Sequence, residues 1–340
     1  MSTTLVTRGE TPQLNNTAVV QGEVLIDTIS FTFDSRLFFD FVEKTFDKEF
    51  EQFEQIDDEQ AASYMTSFLL CRLPSLHKLV CGVGEIKGGR NFFKKRIDLV
   101  SGFVTFGGNN TVRVKGRDLS QVSEKVQVYV DGNGCKLIDF QQLFNDLSSF
   151  EIPPKIARCD VAFDDHEGAF LGVRDIKELA EEGAFKICSP PALEFIDDMG
   201  SNKGCTLYVG KRGSGKLLRI YEKGKQLGDK SSPWVRWEVE FKSKDRVVPL
   251  DILINPAEYI SAAYPPCDFI SKAKIVIKTV AREVDISLNH LMRWAKIQYG
   301  RLINLLVEMG AQPEDIIEKL IAKQGFPKRL QPKIRSYLNA

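Results

Sequence analysis

Three segments in the second half of the chain alternate apolar and polar residues with a period of two. That period fits an extended strand with one buried and one polar face. In IARCDVAFD, Cys159, Val161 and Phe163 take one face, and Arg158, Asp160, Ala162 and Asp164 take the other. In KLLRIYEK, Leu218, Ile220 and Glu222 oppose Arg219, Tyr221 and Lys223. In WVRWEVEFKS, Val235, Trp237, Val239 and Phe241 oppose Arg236, Glu238, Glu240 and Lys242. Each strand therefore presents carboxylates or cations on the face away from its core side, and one of them also presents a tyrosine.

Around these segments the pattern predicts an α+β body. Residues 1–20 lack periodicity and read as a flexible tail. A first β/α part, 21–150, opens with the strand GEVLIDTISFTF and the helix SRLFFDFVEKTFDKEF, with Ser35 as its cap. It continues with the strands LVSGFVTFGG and KVQVYVDG and the helix DFQQLFNDLSSF. EIPPK marks a break. The second β/α part, 151–255, adds the helix VRDIKELAEEG and the strand CTLYVG to the three alternating segments, and 256–340 reads as a helical C-terminal region. A length of 340 residues suits two domains or one two-lobed domain.

Composition removes several classes. No apolar run reaches the ~18 residues of a membrane span, and the polar start MSTTLVTRGE has no secretory core, so a soluble, cytoplasmic protein without a membrane partner is expected. The seven cysteines are scattered singly with no CxxC pair, which supports neither a zinc ribbon nor a disulfide framework. The three histidines show no HxH or HExxH spacing, so a bound metal would rest on carboxylates. The formal net charge is zero, yet residues 1–60 hold four Lys/Arg against thirteen Asp/Glu, while residues 200–246 hold twelve against five. The basic segment suits phosphate binding or a solvated face.

Gly210 to Lys216 matches GxxxxGK, the phosphate-binding loop of nucleotidases. That motif needs Ser or Thr next and a helix after it. Leu217 and the strand-like LLRIYEK supply neither, and a hairpin turn accounts for the glycines. A nucleotidase is therefore the weaker alternative.

The three charged faces have a chemical use when they lie together. Two or three carboxylates bind Mg²⁺ or Mn²⁺ through hard oxygens. A tyrosine hydroxyl beside them can attack a phosphodiester, with Arg219 neutralising its oxygens. Taken singly, each face reads first as a solvent-facing sheet surface with cross-strand ion pairs.

The succession RCDVAFD, TLYVG with a glycine- and lysine-bearing turn, LLRIYEKGKQ, and WVRWEVEFK resembles the replication initiation factor family. These are rolling-circle initiators of certain plasmids and filamentous phages, together with related relaxases. VLIDTISFTF, VYVDGNGC and the stretch from LINLLVEMG to FPKRL extend the likeness over residues 23–330. The resemblance implies a nicking-enzyme fold centred on an antiparallel sheet. It also implies an endonuclease that cuts one origin strand through a covalent 5′-phosphotyrosine, leaves a 3′-OH primer and later re-joins the ends. Carried over, the nucleophile falls on Tyr221 with Arg219 beside it, and Tyr208 on the neighbouring strand is the alternative. Metal ligands for Mg²⁺ or Mn²⁺ fall among Asp160, Glu238, Glu240, Asp164 and Glu222, although strand parity sets Glu222 opposite Tyr221. Lys211, Arg212, Lys216, Lys223 and Lys225 are candidates for DNA contact, and Trp234 and Trp237 for stacking, although Trp237 shares its parity with Val235 and Val239 and reads first as buried. Implied partners are origin DNA with an unpaired nick site and a host helicase and polymerase. The apolar stripe between Met292 and Met309 suits packing or a homodimer, and the clusters Lys328-Arg329 and Lys333 to Arg335 suit DNA or a partner. A non-catalytic origin-binding protein of the same fold is the other open reading.

Overall fold

Period-two alternation builds β1 (Glu23–Asp34), β2 (Ile86–Gly88), β3 (Phe93–Leu99), β4 (Gly102–Gly108) and β5 (Lys125–Val130) in the first part of the chain. In the second it builds β6 (Lys155–Asp165), β7 (Leu193–Ile196), β8 (Thr206–Gly210), β9 (Lys216–Glu222) and β10 (Val235–Lys242). The computed structural model describes residues 22–108, 125–277, 299–300 and 302–320. Among the described residues these strands form one sheet in the order β2-β3-β4-β5-β1-β6-β10-β9-β8-β7, antiparallel throughout.

The order reads as one connectivity used twice. In each half the first strand lies innermost, the last lies beside it, and the others step outward to a short edge strand. β1 and β6 meet antiparallel at the seam, so an approximate two-fold axis normal to the sheet relates the halves. This is the α+β fold in two related parts that the sequence predicts. The predicted boundary near residue 150 lies inside this one sheet, while the compact units are Met1–Val280 and Ala281–Ala340.

Among the described residues, seven α-helices serve the first unit: α1 (Arg36–Phe46), α2 (Asp58–Arg72), α3 (Gly132–Cys135), α4 (Phe140–Ser148), α5 (Val173–Glu181), α6 (Lys223–Gln226) and α7 (Pro256–Ser261). Side-chain caps start several of them. Asp57 accepts from Gln60 N at 2.8 Å, and Asp139 accepts from Gln142 N at 3.1 Å. At α1 the predicted cap, Ser35, makes no side-chain bond, and Asp34 accepts from Arg36 N at 3.0 Å instead. α1 stops at Asp47, whose φ of 54° is left-handed, so the expected continuation through Phe50 is not helical. VYVDGNGC is a strand only to Val130; Asp131 then caps the turn of α3.

Buried residues of α1, α2, α4, α5 and α7 join the apolar strand face in a single core. In the first half Phe68 packs its ring 5.2 Å from Phe33 and 5.9 Å from Phe38. In the second, Trp237 and Phe163 each lie 5.4 Å from Phe269. At the β3–β4 turn Gly102 has φ 130°, and a Cβ there would lie 2.1 Å from the Tyr129 carbonyl oxygen, so only glycine fits. No helix among the described residues is long and apolar enough to cross a membrane. In the second unit, residues 302–308 and Pro313–Leu320 are helical. The rest of the apolar stripe from Met292, and the basic clusters at 328–335, lie outside the described residues.

A core shared by both halves predicts shared unfolding. In a Trp294→Phe background, Phe68→Ala should lower stability by about 3–5 kcal/mol. The fluorescence of Trp234 and Trp237 in the other half should shift together with the circular dichroism transition. A fluorescence midpoint that stays put while the dichroism shifts would show the halves unfolding independently.

Candidate active site

β6, β10 and β9 are neighbours near the middle of the sheet, and their registers bring the charged faces into one patch. Asp160 lies opposite Glu240, Glu238 opposite Arg219, and Arg236 opposite Tyr221. Alternation then sets Asp160, Glu238, Glu240, Arg219 and Tyr221 on the face away from the helical core. Tyr221 Oη donates to Glu238 Oε2 at 3.0 Å. Arg219 Nη2 donates to Glu238 Oε1 and lies 3.5 Å from Asp160 Oδ2. Arg158 grips Asp160 with Nε to Oδ1 at 2.8 Å and Nη2 to Oδ2 at 2.5 Å, and its Nη2 reaches Glu240 at 2.9 Å. Lys242 Nζ lies 2.5 Å from the other oxygen of Glu240.

These groups are buried although they are charged: Asp160 is 1% exposed, Glu238 2% and Tyr221 9%. Burial raises the pKa of Asp160 and of Glu238, with the neighbouring carboxylate adding to the rise in each and the arginines opposing it. Burial also lifts the Tyr221 phenol well above its ordinary value, and the charge of Glu238 lifts it further. A phenol that already donates to a carboxylate of raised basicity has a built path for its proton.

The other candidates lie elsewhere. Glu222 ends β9 on the opposite side, accepting from Cys205 N at 2.8 Å and pairing with Lys225 at 2.7 Å. Parity accounts for its separation from Tyr221, and Lys225 is committed to it. Asp164 shares the polar face but is enclosed by Arg236, at 2.7 and 2.6 Å, and by the Trp234 indole N–H at 2.7 Å. Tyr208 shares the face across from Arg219, its ring 4.4 Å from the Arg212 guanidinium. Lys211 and Arg212 stand exposed at the β8–β9 turn, and Lys223 lies 5.5 Å over the Tyr221 ring. Lys216 points to the core side, bonded to the Ala263 carbonyl and 3.9 Å over the Tyr264 ring. Burial drops its pKa to about 8. GxxxxGK is thus a hairpin with its lysine in a strand and no helix following. Trp237 is buried in the core, and Trp234 is half-buried.

The reading of candidates passed over Asp27 and Arg158. Arg236 Nη1 bonds Asp27 at 2.7 Å, which ties β1 to the patch at an irregularity in the β1–β6 ladder. Asp27 is the single charge inside VLIDTISFTF, and that was its signal.

Asp160, Glu238 and Glu240 offer hard oxygens of the kind Mg²⁺ or Mn²⁺ takes; the charge of Glu240 adds to the rise at Asp160 and that of Asp160 to the rise at Glu238, a crowding that a divalent cation would relieve. Among the described residues, the grouping whose ligand atoms lie within 4.8 Å of one another is a different one, Asp197, Asp198 and Cys205. Its oxygens, like those of Asp160, Glu238 and Glu240, are held by protein donors: Asp197 by Arg174 at 2.8 and 2.9 Å, and Asp198 by the Gly200 and Gly204 amides at 3.1 and 3.4 Å.

Comparison with known proteins gives likenesses to a protein family and to solved structures. Residues 154–321 match the family model described as replication initiation factor. The chain is also similar to the solved rolling circle replication initiator protein from Geobacillus stearothermophilus, at 22% identity over 65% of this chain and 75% of that chain, with a TM-score of 0.42. No curated protein matches. The family match takes in all of β6 to β10, so the likeness to replication initiation factors covers the three strands that carry the charged patch.

Proposed function

We propose that this protein starts rolling-circle replication by nicking one strand of its origin DNA, with Tyr221 as the nucleophile. The observation that carries the reading is the Tyr221 hydroxyl donating to the buried Glu238 carboxylate with Arg219 on the same carboxylate. Tyr221 Oη attacks phosphorus and its proton passes to Glu238. The Oη–P bond forms as the P–O3′ bond breaks, and the departing 3′ oxygen takes up a proton to become the 3′-OH that primes a host polymerase. Attack of a 3′-OH on the phosphotyrosine reverses these steps and re-joins the strand.

Arg219 and Arg158 are half-buried with a route to solvent, at 29% and 32% side-chain exposure. An incoming phosphate draws them from Asp160 and Glu238 onto its non-bridging oxygens, where their charge counts most in the transition state. Asp160, Glu238 and Glu240 would hold a divalent ion, which supplies Lewis-acid polarisation of the phosphodiester. Lys211 and Arg212 at the β8–β9 turn, with Lys223, follow the DNA backbone.

The test is a supercoiled plasmid carrying the origin of the protein's own replicon, incubated with Mg²⁺ or Mn²⁺ and run on denaturing gels. Tyr221→Phe should abolish nicking and the protein–DNA adduct, Tyr208→Phe should keep both, and Arg219→Ala should slow nicking by about 10²–10³-fold. Loss in Tyr208→Phe alone moves the nucleophile to that strand. Origin binding by folded wild-type protein without nicking in either metal favours the non-catalytic reading.

The raised pKa of Glu238 makes a prediction about stability. Below the carboxyl's unfolded pKa, both states hold the proton and the residue has no differential effect. As pH rises from there through the higher folded pKa, the native state gives up a proton it binds more tightly, and stability falls. Glu238→Gln removes this term. Its melting temperature should match wild type near pH 4 and equal or exceed it at neutral pH, while nicking is lost. A variant markedly less stable than wild type at neutral pH would contradict the assignment.

A further inference from the structure

The polar face continues across the β1–β6 seam into a groove of about 540 Å³ bordered by Arg158. Its floor is aromatic. Phe103 on β4 and Tyr129 on β5 are cross-strand partners with ring centroids 4.9 Å apart and planes 19° from parallel. The Arg90 guanidinium lies 5.2 Å from the Phe103 ring. Arg90, Arg158, Lys242 and Lys244 line the groove, and among the described residues no acidic side chain does. Between the rings and the seam, Gln127 donates to Ser30 Oγ at 2.9 Å and accepts from Asn91 at 3.2 Å, placing amide groups beside the platform.

The two-fold relation explains why this side is neutral where the other is anionic. With Phe33-Asp34 near the end of β1 aligned on Phe163-Asp164 near the end of β6, the ladder registers carry Asp160 onto Ser30 and Glu240 onto Tyr129. They also carry Glu238 onto Gln127 and Arg219 onto Thr105. All three carboxylates of the candidate centre are replaced by uncharged groups in its counterpart. The counterpart cannot gather a divalent ion, nor does it repel a polyanion.

We infer that this groove binds unpaired nucleotides of single-stranded DNA leading to or from the scissile phosphate. One base lies against the Phe103–Tyr129 platform, and the backbone runs along Arg90, Lys244, Lys242 and Arg158. Stacking on aromatic rings with cations along the strand is the general chemistry of single-strand binding. The groove's place in the reaction rests on the nicking at Tyr221 proposed above, but its affinity for DNA does not.

Fluorescence anisotropy of a labelled oligothymidylate, titrated without metal into full-length Tyr221→Phe protein, tests it. Adding Tyr129→Ala should weaken binding by about tenfold, whereas Tyr129→Trp should preserve it. Arg90→Ala and Lys244→Ala should each reduce the slope of log affinity against log salt by about 0.7. Affinity within twofold of the parent for a folded Tyr129→Ala protein overturns the inference. So does equal loss in the Trp variant, or tighter binding of the matching oligouridylate. If these effects appear while the chain with Tyr221 intact nicks no origin, the groove stands and the nuclease reading falls.

Discussion

The exchange of charge across β6, β10 and β9 is the interaction on which the rest depends. Five carboxylates (Asp27, Asp160, Asp164, Glu238 and Glu240) share one sheet face with Arg158, Arg219, Arg236 and Lys242. Buried charge is tolerated only when paired and hydrogen-bonded. The pairing therefore demands the observed registers: a slip of one residue would send every charge into the core and every core residue outward. The continuous apolar core on the other face holds those registers in place.

The same pairing sets what the face can do. Guanidinium groups that neutralise carboxylates at rest are the groups a phosphodiester attracts, and carboxylates released by that exchange suit a cation. Tyr221 sits among these pairs, its proton already directed at Glu238. Burial and the charge of Glu238 keep the phenol protonated.

Much of this was legible because strands carry their faces in their spacing. Parity set Asp160, Arg219, Tyr221, Glu238 and Glu240 on the polar faces of their strands and set Glu222 apart, while the family resemblance suggested that those faces share a site. The hairpin at Gly210 to Lys216 followed from Leu217 and a strand-like continuation. Illegible features depend on partners distant in sequence. Lys216 reads as a tip cation, yet a ring and a carbonyl some fifty residues later draw it inward. α2 escaped notice because its buried residues, from Ala61 to Leu69, are spread around the helix rather than along one stripe. β3 hides in FKKRIDL, whose lysines and arginine break the alternation. Asp27 is a lone charge until Arg236 reaches it from 209 residues away.

The central claim is that the Tyr221 oxygen becomes bonded to DNA phosphorus. Mass spectrometry of the trapped protein–DNA product, after digestion with trypsin and nuclease, reads this directly. The account predicts a nucleotide 5′-phosphate on the peptide Ile220 to Lys223, on its tyrosine. The same mass on the peptide Gly204 to Lys211, which contains Tyr208, or cleaved DNA with neither peptide modified, would contradict it.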